Sequence, residues 1–277
     1  MKFGVALGAL NPHFHVDATM AAEELGYESV WLPEHLMFTR AMSRSPHPGE
    51  SHPPVPPDVP IFDAFAYLGF LAGRTERVRV GTHVFNIGLR HPFTTARGVQ
   101  TVDVLSGGRF EFGIGASWLE EEWNATQLDF ATRGRRVDEA VEVCKRLWTE
   151  ETVSHRGEFF AFDEAVFEPK PVQKPWPPIL VGGESKAALR RAARLGDGWI
   201  GMGHSFDSAT AQIALLRSYL AESKRSDEGF QIVLGGTVAS RTDVEQWEAL
   251  GVTRLIVSPW KRSPEAVDAL QRFAEFL

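Results

Sequence analysis

Apolar residues of this chain recur at two different spacings, and the change is clearest around residue 106. Val99, Val102 and Leu105 lie three residues apart, which predicts a helix with one buried face. The two glycines after Ser106 predict the end of that helix, because glycine adopts positive φ without a clash at Cβ. In residues 110–114, Phe110, Phe112 and Ile114 alternate with a glutamate and a glycine, which predicts a short strand. Small residues follow this strand and leave room for a flat group close to the backbone.

The same two spacings alternate along the rest of the chain. They predict strands at residues 2–8, 27–33, 78–85, 110–114, 179–181, 198–201, 231–234 and 255–257. They predict helices at residues 16–25, 63–74, 92–105, 137–148, 186–195, 209–220, 244–250 and 265–276. This alternation predicts a single domain, residues 1–277, with the α/β fold of a (β/α)8 TIM barrel. A doubly wound open sheet is disfavoured, because Gly113-Ile114-Gly115 lacks the third glycine of a dinucleotide-binding fingerprint.

Three segments interrupt the alternation. Residues 36–60 are rich in proline and polar residues without periodicity, and a loop of this length is usually functional, so we expect a lid after strand two. Residues 119–132 form a second irregular segment, after strand four. Residues 151–178 predict an inserted hairpin with its turn at residues 155–158.

Composition excludes several classes of protein. A formal net charge of −7 disfavours a nucleic-acid partner, which would require a basic face. The single cysteine, Cys144, shares a helical stripe with Val141 and Trp148, so we interpret it as a core residue in a reducing compartment. No apolar run approaches ~18 residues, so no membrane span is expected. The chain enters a strand at once, without a signal peptide, and we expect a cytoplasmic protein.

In a TIM barrel, the residues that follow the strands share one cavity. That rule gathers a set rich in glycine, histidine and small residues: Glu34, His35, His83, Val84, Phe85, Asn86, Gly115, Ala116, Ser117, Trp118, Gly182, Gly183, Glu184, Ser185, Met202, Gly203 and His204. Within this set, Gly182-Gly183-Glu184-Ser185 joins a strand to a helix. Amides at such a helix start can bind a phosphate, but a plain turn with a serine cap explains the same residues equally well.

Two neighbouring motifs carry a resemblance to a known family. The run LSGGR at residues 105–109, followed by GIGASW at residues 113–118, resembles the bacterial luciferase-like superfamily, and most closely its branch of oxidoreductases that use the deazaflavin coenzyme F420. The resemblance implies coenzyme F420, with FMN as the alternative, and a coenzyme phosphate at the loop after strand five. The implied coenzyme-binding residues are His35, Thr82, His83, Val84, Gly115, Ala116, Ser117, Trp118, Gly182, Gly183, Glu184 and Ser185.

The resemblance also implies two features of the reacting end of the site. In similar proteins, the segment that matches residues 81–86 carries a β-bulge and a cis peptide bond, which here would join His83 and Val84. Glu34 and His35 match an acidic residue–histidine pair near the coenzyme ring, so both are candidate catalytic residues. A histidine titrates near neutral pH and can accept or deliver the proton that accompanies a hydride transfer.

The substrate is constrained by one departure from the family pattern. Relatives that oxidise sugar phosphates carry a catalytic carboxylate where Trp118 stands. Because tryptophan cannot transfer that proton, we expect an apolar or aromatic small-molecule substrate. No membrane or nucleic-acid partner is expected, and a homodimer is compatible with the pattern.

Two other functions remain open from the residues alone. His13 and His15 follow strand one, where barrel metal hydrolases carry a His-x-His pair, although no aspartate follows the last strand to complete the ligand set. We therefore expect no bound metal. The chain could also be a relative that binds the coenzyme without catalysing a reaction.

Overall fold

The strands close into a parallel barrel. The computed structural model describes residues 1–43, 45 and 55–277. Its strands are β1 (Lys2–Ala6), β2 (Ser29–Leu32), β3 (Arg79–Thr82), β4 (Phe85–Asn86), β5 (Phe110–Gly115), β6 (Thr152–Arg156), β7 (Ala161–Val166), β8 (Ile179–Gly182), β9 (Gly198–Gly203), β10 (Gln231–Gly235) and β11 (Arg254–Val257). They pair in the order β3-β2-β1-β11-β10-β9-β8-β5, and β3 also pairs with β5 and closes the barrel. The strand β4 continues β3 along β5, whereas β6 and β7 form a separate antiparallel hairpin. The predicted TIM barrel is confirmed.

Helices cover the outside of the barrel. They are α1 (His15–Leu25), α2 (Ala64–Ala72), α3 (Pro92–Leu105), α4 (Glu120–Ala125), α5 (Arg133–Thr149), α6 (Lys186–Leu195), α7 (Phe206–Glu222), α8 (Arg241–Ala249) and α9 (Ala266–Phe273). Their apolar faces are buried against the strands, as Leu68 of α2 and Val99 of α3 illustrate. Among the described residues, no helix has both the length and the apolar character needed to cross a membrane.

Trp31 fills the interior of the barrel. Its indole Nε1 donates a hydrogen bond to Ser29 Oγ at 2.9 Å. A Cβ at Gly4 would lie 2.6 Å from the indole nitrogen, and one at Gly81 would lie 2.5 Å from the ring, so glycine in β1 and β3 makes room for the side chain. An apolar layer surrounds the indole, formed by Ala6, Val84, Leu180, Ile200, Val233 and Ile256. This layer separates the two ends of the barrel.

Ion pairs around Arg254 close the N-terminal end of the barrel. Arg254 is 1% exposed, and its guanidinium donates to both oxygens of the Glu111 carboxylate, at 2.6 and 2.9 Å. It also donates to Glu28 at 2.6 Å, and Arg79 donates to Glu111 at 2.6 Å. A charge buried this deeply persists only when its partners compensate for lost hydration. The network connects β11 with β5, β3 and the residue that precedes β2.

Some boundaries differ from those predicted. The predicted strand at residues 78–85 is interrupted after Thr82, and the peptide bond between His83 and Val84 is cis, as the resemblance implies. The helix α5 starts at Arg133 rather than at residue 137, and α4 lies within the irregular segment before it. The hairpin turn lies at residues 157–160, because His155 still pairs with Phe162 across the two strands. Of the predicted lid, residues 44 and 46–54 lie outside the described residues.

Candidate active site

A cavity of about 580 Å³ lies at the C-terminal end of the barrel. Of the catalytic and coenzyme-binding residues that the resemblance implies, all except Thr82 line it: Glu34, His35, His83, Val84, Gly115, Ala116, Ser117, Trp118, Gly182, Gly183, Glu184 and Ser185. Phe85, Gly203 and His204, which the positions after the strands also predicted for the shared cavity, do not line it. Thr82 is fully buried, and its hydroxyl donates to the Gly113 carbonyl at 2.6 Å. A Cβ at Gly113 would lie 1.9 Å from the Thr82 carbonyl oxygen, so β3 and β5 approach each other closely there. The Thr82 hydroxyl is bonded within this narrow space and does not reach a ligand.

His35 is held in a fixed orientation at one side of this cavity. Its Nδ1 lies 3.2 Å from Glu122 Oε2, and Glu122 is completely buried. The same carboxylate accepts hydrogen bonds from the Leu36 amide and from the Ser117 hydroxyl, the latter at 3.3 Å. Trp118 packs edge-on against the imidazole, with ring centroids 5.6 Å apart. With Nδ1 occupied by Glu122, Nε2 is the imidazole nitrogen available to a ligand.

Glu34, the other candidate catalytic residue, has both carboxylate oxygens engaged. One oxygen pairs with the Arg90 guanidinium, and the other accepts the Asn86 amide at 2.9 Å. Burial raises the pKa of the Glu34 carboxyl, whereas Arg90 and the Asn86 amide oppose that shift. These contacts connect the end of β2 with β4. They favour a structural role for Glu34 over the proton transfer that the resemblance implies.

The cis peptide segment forms one wall of the cavity. A Cβ at Gly115 would lie 2.7 Å from the Val84 side chain, and one at Gly182 would lie 2.8 Å from it. Glycine at these two positions therefore lets Val84 pack between β5 and β8. Burial lowers the pKa of the adjacent His83 to about 4, and the Gly201 backbone and the Glu184 carboxylate only partly oppose that shift. His83 is therefore neutral at physiological pH.

The start of α6 forms another part of the cavity wall. Ser185 caps this helix by accepting a hydrogen bond from the Ala188 amide at 3.1 Å, as the sequence predicts. Gly183 has φ 112°, a conformation that side chains other than glycine rarely adopt. The first amides of a helix lack acceptors within it and attract anions. Arg133 and Arg191 also line the cavity, and the Arg191 guanidinium pairs with Asp138.

Sequence reasoning missed Glu122, Arg133 and Arg191. Glu122 and Arg133 fall within or beside the irregular segment at residues 119–132, where no periodicity assigned them to a helix face. Arg191 lies on the predicted helix at residues 186–195, and only the fold brings it to the cavity. A helix start predicted at residue 133 would have placed Arg133 next to the barrel opening.

The remaining walls of the cavity are mainly apolar. They come from the turn after β1, from the described parts of the predicted lid and from the two residues after it: Leu10, Pro12, Phe38, Val55, Val59, Pro60, Ile61 and Phe62. Phe38 also contacts the His35 imidazole, with ring centroids 4.6 Å apart. His35 thus lies at the boundary between this apolar region and the rest of the cavity.

The two histidines after β1 lie in different surroundings. His15 is 3% exposed, its Nε2 lies 3.3 Å from the Leu10 carbonyl, and burial lowers its pKa. His13 is exposed and packs edge-on against Phe14. Among the described residues, no three His, Cys, Asp or Glu side chains come together in a way that could bind a metal ion.

This barrel, with its glycine-lined cavity, matches a known family along nearly its whole length. The sequence model of the luciferase-like monooxygenase family matches residues 1–274. The chain belongs to this family. An uncharacterised protein of Mycobacterium bovis is 29% identical to it over 99% of this chain and 98% of its own length. The family comprises oxidoreductases and monooxygenases, with relatives that depend on F420 and others that depend on FMN.

Two functionally described relatives represent these two coenzymes. An F420-dependent glucose-6-phosphate dehydrogenase of Microbacterium testaceum is 31% identical over 72% of this chain and 56% of its own length. An FMNH2-dependent dimethylsulfone monooxygenase of Pseudomonas putida is 31% identical over 72% of this chain and 53% of its own length. The solved structure of an F420-dependent secondary alcohol dehydrogenase, in complex with an F420–acetone adduct, covers 100% of this chain and 98% of its own, with a TM-score of 0.81. At 16% identity, that likeness shows the fold alone.

Proposed function

We propose that this protein is a coenzyme F420-dependent oxidoreductase that transfers a hydride between the deazaflavin ring and a neutral, mainly apolar organic substrate. The observation that carries the proposal is the fixed His35–Glu122 pair in a cavity that also has a helix start suited to phosphate. The resemblance of residues 105–118 to the deazaflavin branch and the F420-dependent relative support this coenzyme.

The residues of the cavity fit a phosphorylated tricyclic coenzyme. Val84 supplies a wall against which a flat ring can stack, and Gly115 and Gly182 keep that wall free of other side chains. The α6 amides would supply hydrogen bonds for a phosphate. Arg133 and Arg191, which line the same cavity, would add positive charge, of which Asp138 already compensates that of Arg191. When bound, the coenzyme would supply the carbon that accepts or donates the hydride.

In this proposal, His35 transfers the proton that accompanies the hydride. In the direction of oxidation, a substrate C–H bond gives up its hydride while an adjacent O–H proton passes to His35 Nε2. Reduction runs through the same positions in reverse. Glu122 holds the imidazole so that Nε2 faces the reacting atoms, and Trp118 and Phe38 restrict the ring on its sides.

The substrate would occupy the apolar region next to His35. Leu10, Phe38, Ile61 and Phe62 line this region, and we assign the described arginines of the cavity, Arg133 and Arg191, to the phosphate. Such a pocket favours an uncharged alcohol or ketone over a sugar phosphate, because a second phosphate would need its own positive partner. We therefore propose a substrate class different from that of the glucose-6-phosphate dehydrogenase.

An FMN-dependent monooxygenase is the second candidate, because a relative with that activity matches at the same identity as the F420-dependent one. Fluorescence titration of the purified protein with oxidised F420 and with FMN distinguishes the two. We expect F420 to bind more tightly and its reduced form to be oxidised by a neutral ketone. Tighter binding of FMN, together with oxygen-dependent turnover, would favour the monooxygenase.

A further inference from the structure

The loop between β8 and α6 is held by contacts on its outer side. Trp199 Nε1 donates to the Gly183 carbonyl at 3.0 Å, and Gln212 Nε2 donates to the Glu184 carbonyl at 3.3 Å. A trans peptide is planar, with its N–H opposite its C=O. Fixing these two carbonyls therefore directs the amides of Glu184 and Ser185 to the opposite side, where the loop lines the cavity.

The Glu184 side chain creates an electrostatic problem for this arrangement. It places a carboxylate beside amides that we assign to a phosphate, and two negative charges so close together repel each other. In the structure, one carboxylate oxygen accepts the Met202 amide at 2.7 Å. The other lies 3.0 Å from His204 Nε2. Both oxygens are thus engaged by β9 and by the residue that follows it.

His204 is itself fixed in position. Its side chain is 7% exposed, its Nδ1 lies 3.1 Å from Ser208 Oγ, and its ring packs edge-on against Trp199 at 5.7 Å. Ser208 belongs to the capping box with Ser205 at the start of α7. The imidazole therefore connects a stable helix start to the Glu184 carboxylate.

We propose that His204 is a positioning residue for coenzyme-phosphate binding, because its hydrogen bond holds the Glu184 carboxylate in place beside the amides of Glu184 and Ser185. The inference rests on the phosphate site of the proposed function. It assigns to His204 an electrostatic role in affinity, although His204 does not line the cavity.

The test compares oxidised F420 with its phosphate-free chromophore, the same deazaflavin with a ribityl chain and no phosphate. The variant His204→Phe keeps a ring against Trp199 and leaves Glu184 without its partner. We expect it to weaken F420 binding about tenfold, which corresponds to the loss of one charge-assisted hydrogen bond. Its affinity for the phosphate-free chromophore should stay at the wild-type value in the same fluorescence titration.

A second substitution separates charge from packing. In the double variant His204→Phe/Glu184→Gln, a neutral side-chain amide replaces the carboxylate. Its carbonyl oxygen can still accept the hydrogen bond from the Met202 amide. We expect this variant to recover most of the lost F420 affinity. His155→Phe is the matched control, because His155 forms a similar pair with Glu139 at 3.0 Å in the hairpin region. It should bind both chromophores as the wild type does.

The outcomes separate this inference from the proposed function. If the wild type binds F420 no better than the phosphate-free chromophore, the phosphate site is wrong and the inference falls with it. If the wild type prefers F420 and His204→Phe retains the full preference, only the inference is overturned. Equal weakening of both chromophores, or no recovery in the double variant, also overturns it, because packing alone would explain such losses.

Discussion

At the residue scale, two buried carboxylates have different surroundings: Glu34 lines the cavity, and Glu122 contacts the lining residues His35 and Ser117. Glu34 has an arginine and a backbone amide on its two oxygens, so it connects parts of the backbone. Glu122 contacts the His35 imidazole, the Leu36 amide and the Ser117 hydroxyl. Of these three groups, the imidazole has a second nitrogen, Nε2, that can contact a ligand. For the proposed reaction, we therefore assign the support of proton transfer to Glu122 rather than to Glu34.

Replacing Glu122 tests this assignment. The variant Glu122→Gln keeps the size of the side chain but weakens its hold on His35. We expect turnover to fall by roughly ten- to a hundredfold, a part of the 10²–10⁴ that general acid–base catalysis supplies. The dissociation constant of F420 should change little, because Glu122 lies away from the phosphate region. Glu142→Gln, on the exposed face of α5, is the control, and an equal loss in both variants would contradict the assignment.

Burial of His83 makes stability depend on pH. Its pKa is lowered to about 4, whereas a histidine in the unfolded chain titrates near 6.5. Below pH 6.5 the unfolded chain binds a proton that the folded protein takes up only near pH 4, so the free energy of unfolding falls as the pH drops through this window. We expect His83→Gln to lose about 2 kcal/mol less stability than the wild type between pH 7 and pH 5.

Urea unfolding of the coenzyme-free protein at the two pH values measures this difference. His13→Gln serves as the control, because His13 is exposed, and it should keep the wild-type dependence. Identical pH dependence in His83→Gln and the wild type would show that His83 is protonated as easily in the folded protein as in the unfolded chain.

At the element scale, the turn from β8 into α6 requires glycine at residue 183. A Cβ there would lie 3.0 Å from the Ala188 Cβ, in a backbone conformation with φ 112°. Gly183→Val should therefore distort the first turn of α6 and weaken F420 binding by at least about tenfold. Gly229→Val is matched for strain, since Gly229 also has positive φ, at 74°, but precedes β10 outside the cavity. Fluorescence titration should show normal F420 binding in that control and would contradict the prediction if both variants behaved alike.

The elements themselves were largely predictable, and the exceptions have local causes. Residues 92–105 combine an apolar face with a proline start and a glycine end, so α3 follows directly from the sequence. The interruption after Thr82 carries no sign in the apolar pattern, because Val84 and Phe85 both suit a strand; the family resemblance alone indicated it. The position of Glu122 depends on how α4 packs against His35 and Leu36, which follow β2, and periodicity cannot describe such a tertiary contact.

At the scale of the whole molecule, the ion pairs of Arg254 join the last strand to the middle of the chain. Arg254→Met would leave the buried Glu111 with Arg79 alone and the partly buried Glu28 with Lys2 alone, so we expect a loss of about 3 kcal/mol in the free energy of unfolding. Coenzyme affinity at 25 °C should be unchanged, because the network lies at the opposite end of the barrel. The exposed pair of Arg262 with Glu265 provides the control, and Arg262→Met should have little effect in the same urea titration. A loss in Arg254→Met no larger than in that control would show that the network does not hold the barrel closed.

The alternation of strands and helices specifies the closed barrel from sequence, and the barrel in turn specifies which strand ends meet. That is why most of the predicted site residues do line one cavity. Thr82 did not, because its position in β3 turns its hydroxyl toward β5 rather than toward the barrel opening. Which coenzyme and which substrate occupy the cavity depends on a few side chains, and the fold leaves these undetermined.

The indole of Trp31 and its apolar layer have a consequence for the sequence of events in turnover. They fill the barrel below the cavity, so coenzyme and substrate have to enter and leave through the same C-terminal opening. For the proposed reaction, the ring lies against Val84 and the substrate covers it from the side of Phe38 and Phe62. A substrate that arrived first would block the coenzyme. For the proposed reaction we therefore expect ordered binding, with coenzyme first and product leaving before the spent coenzyme is exchanged.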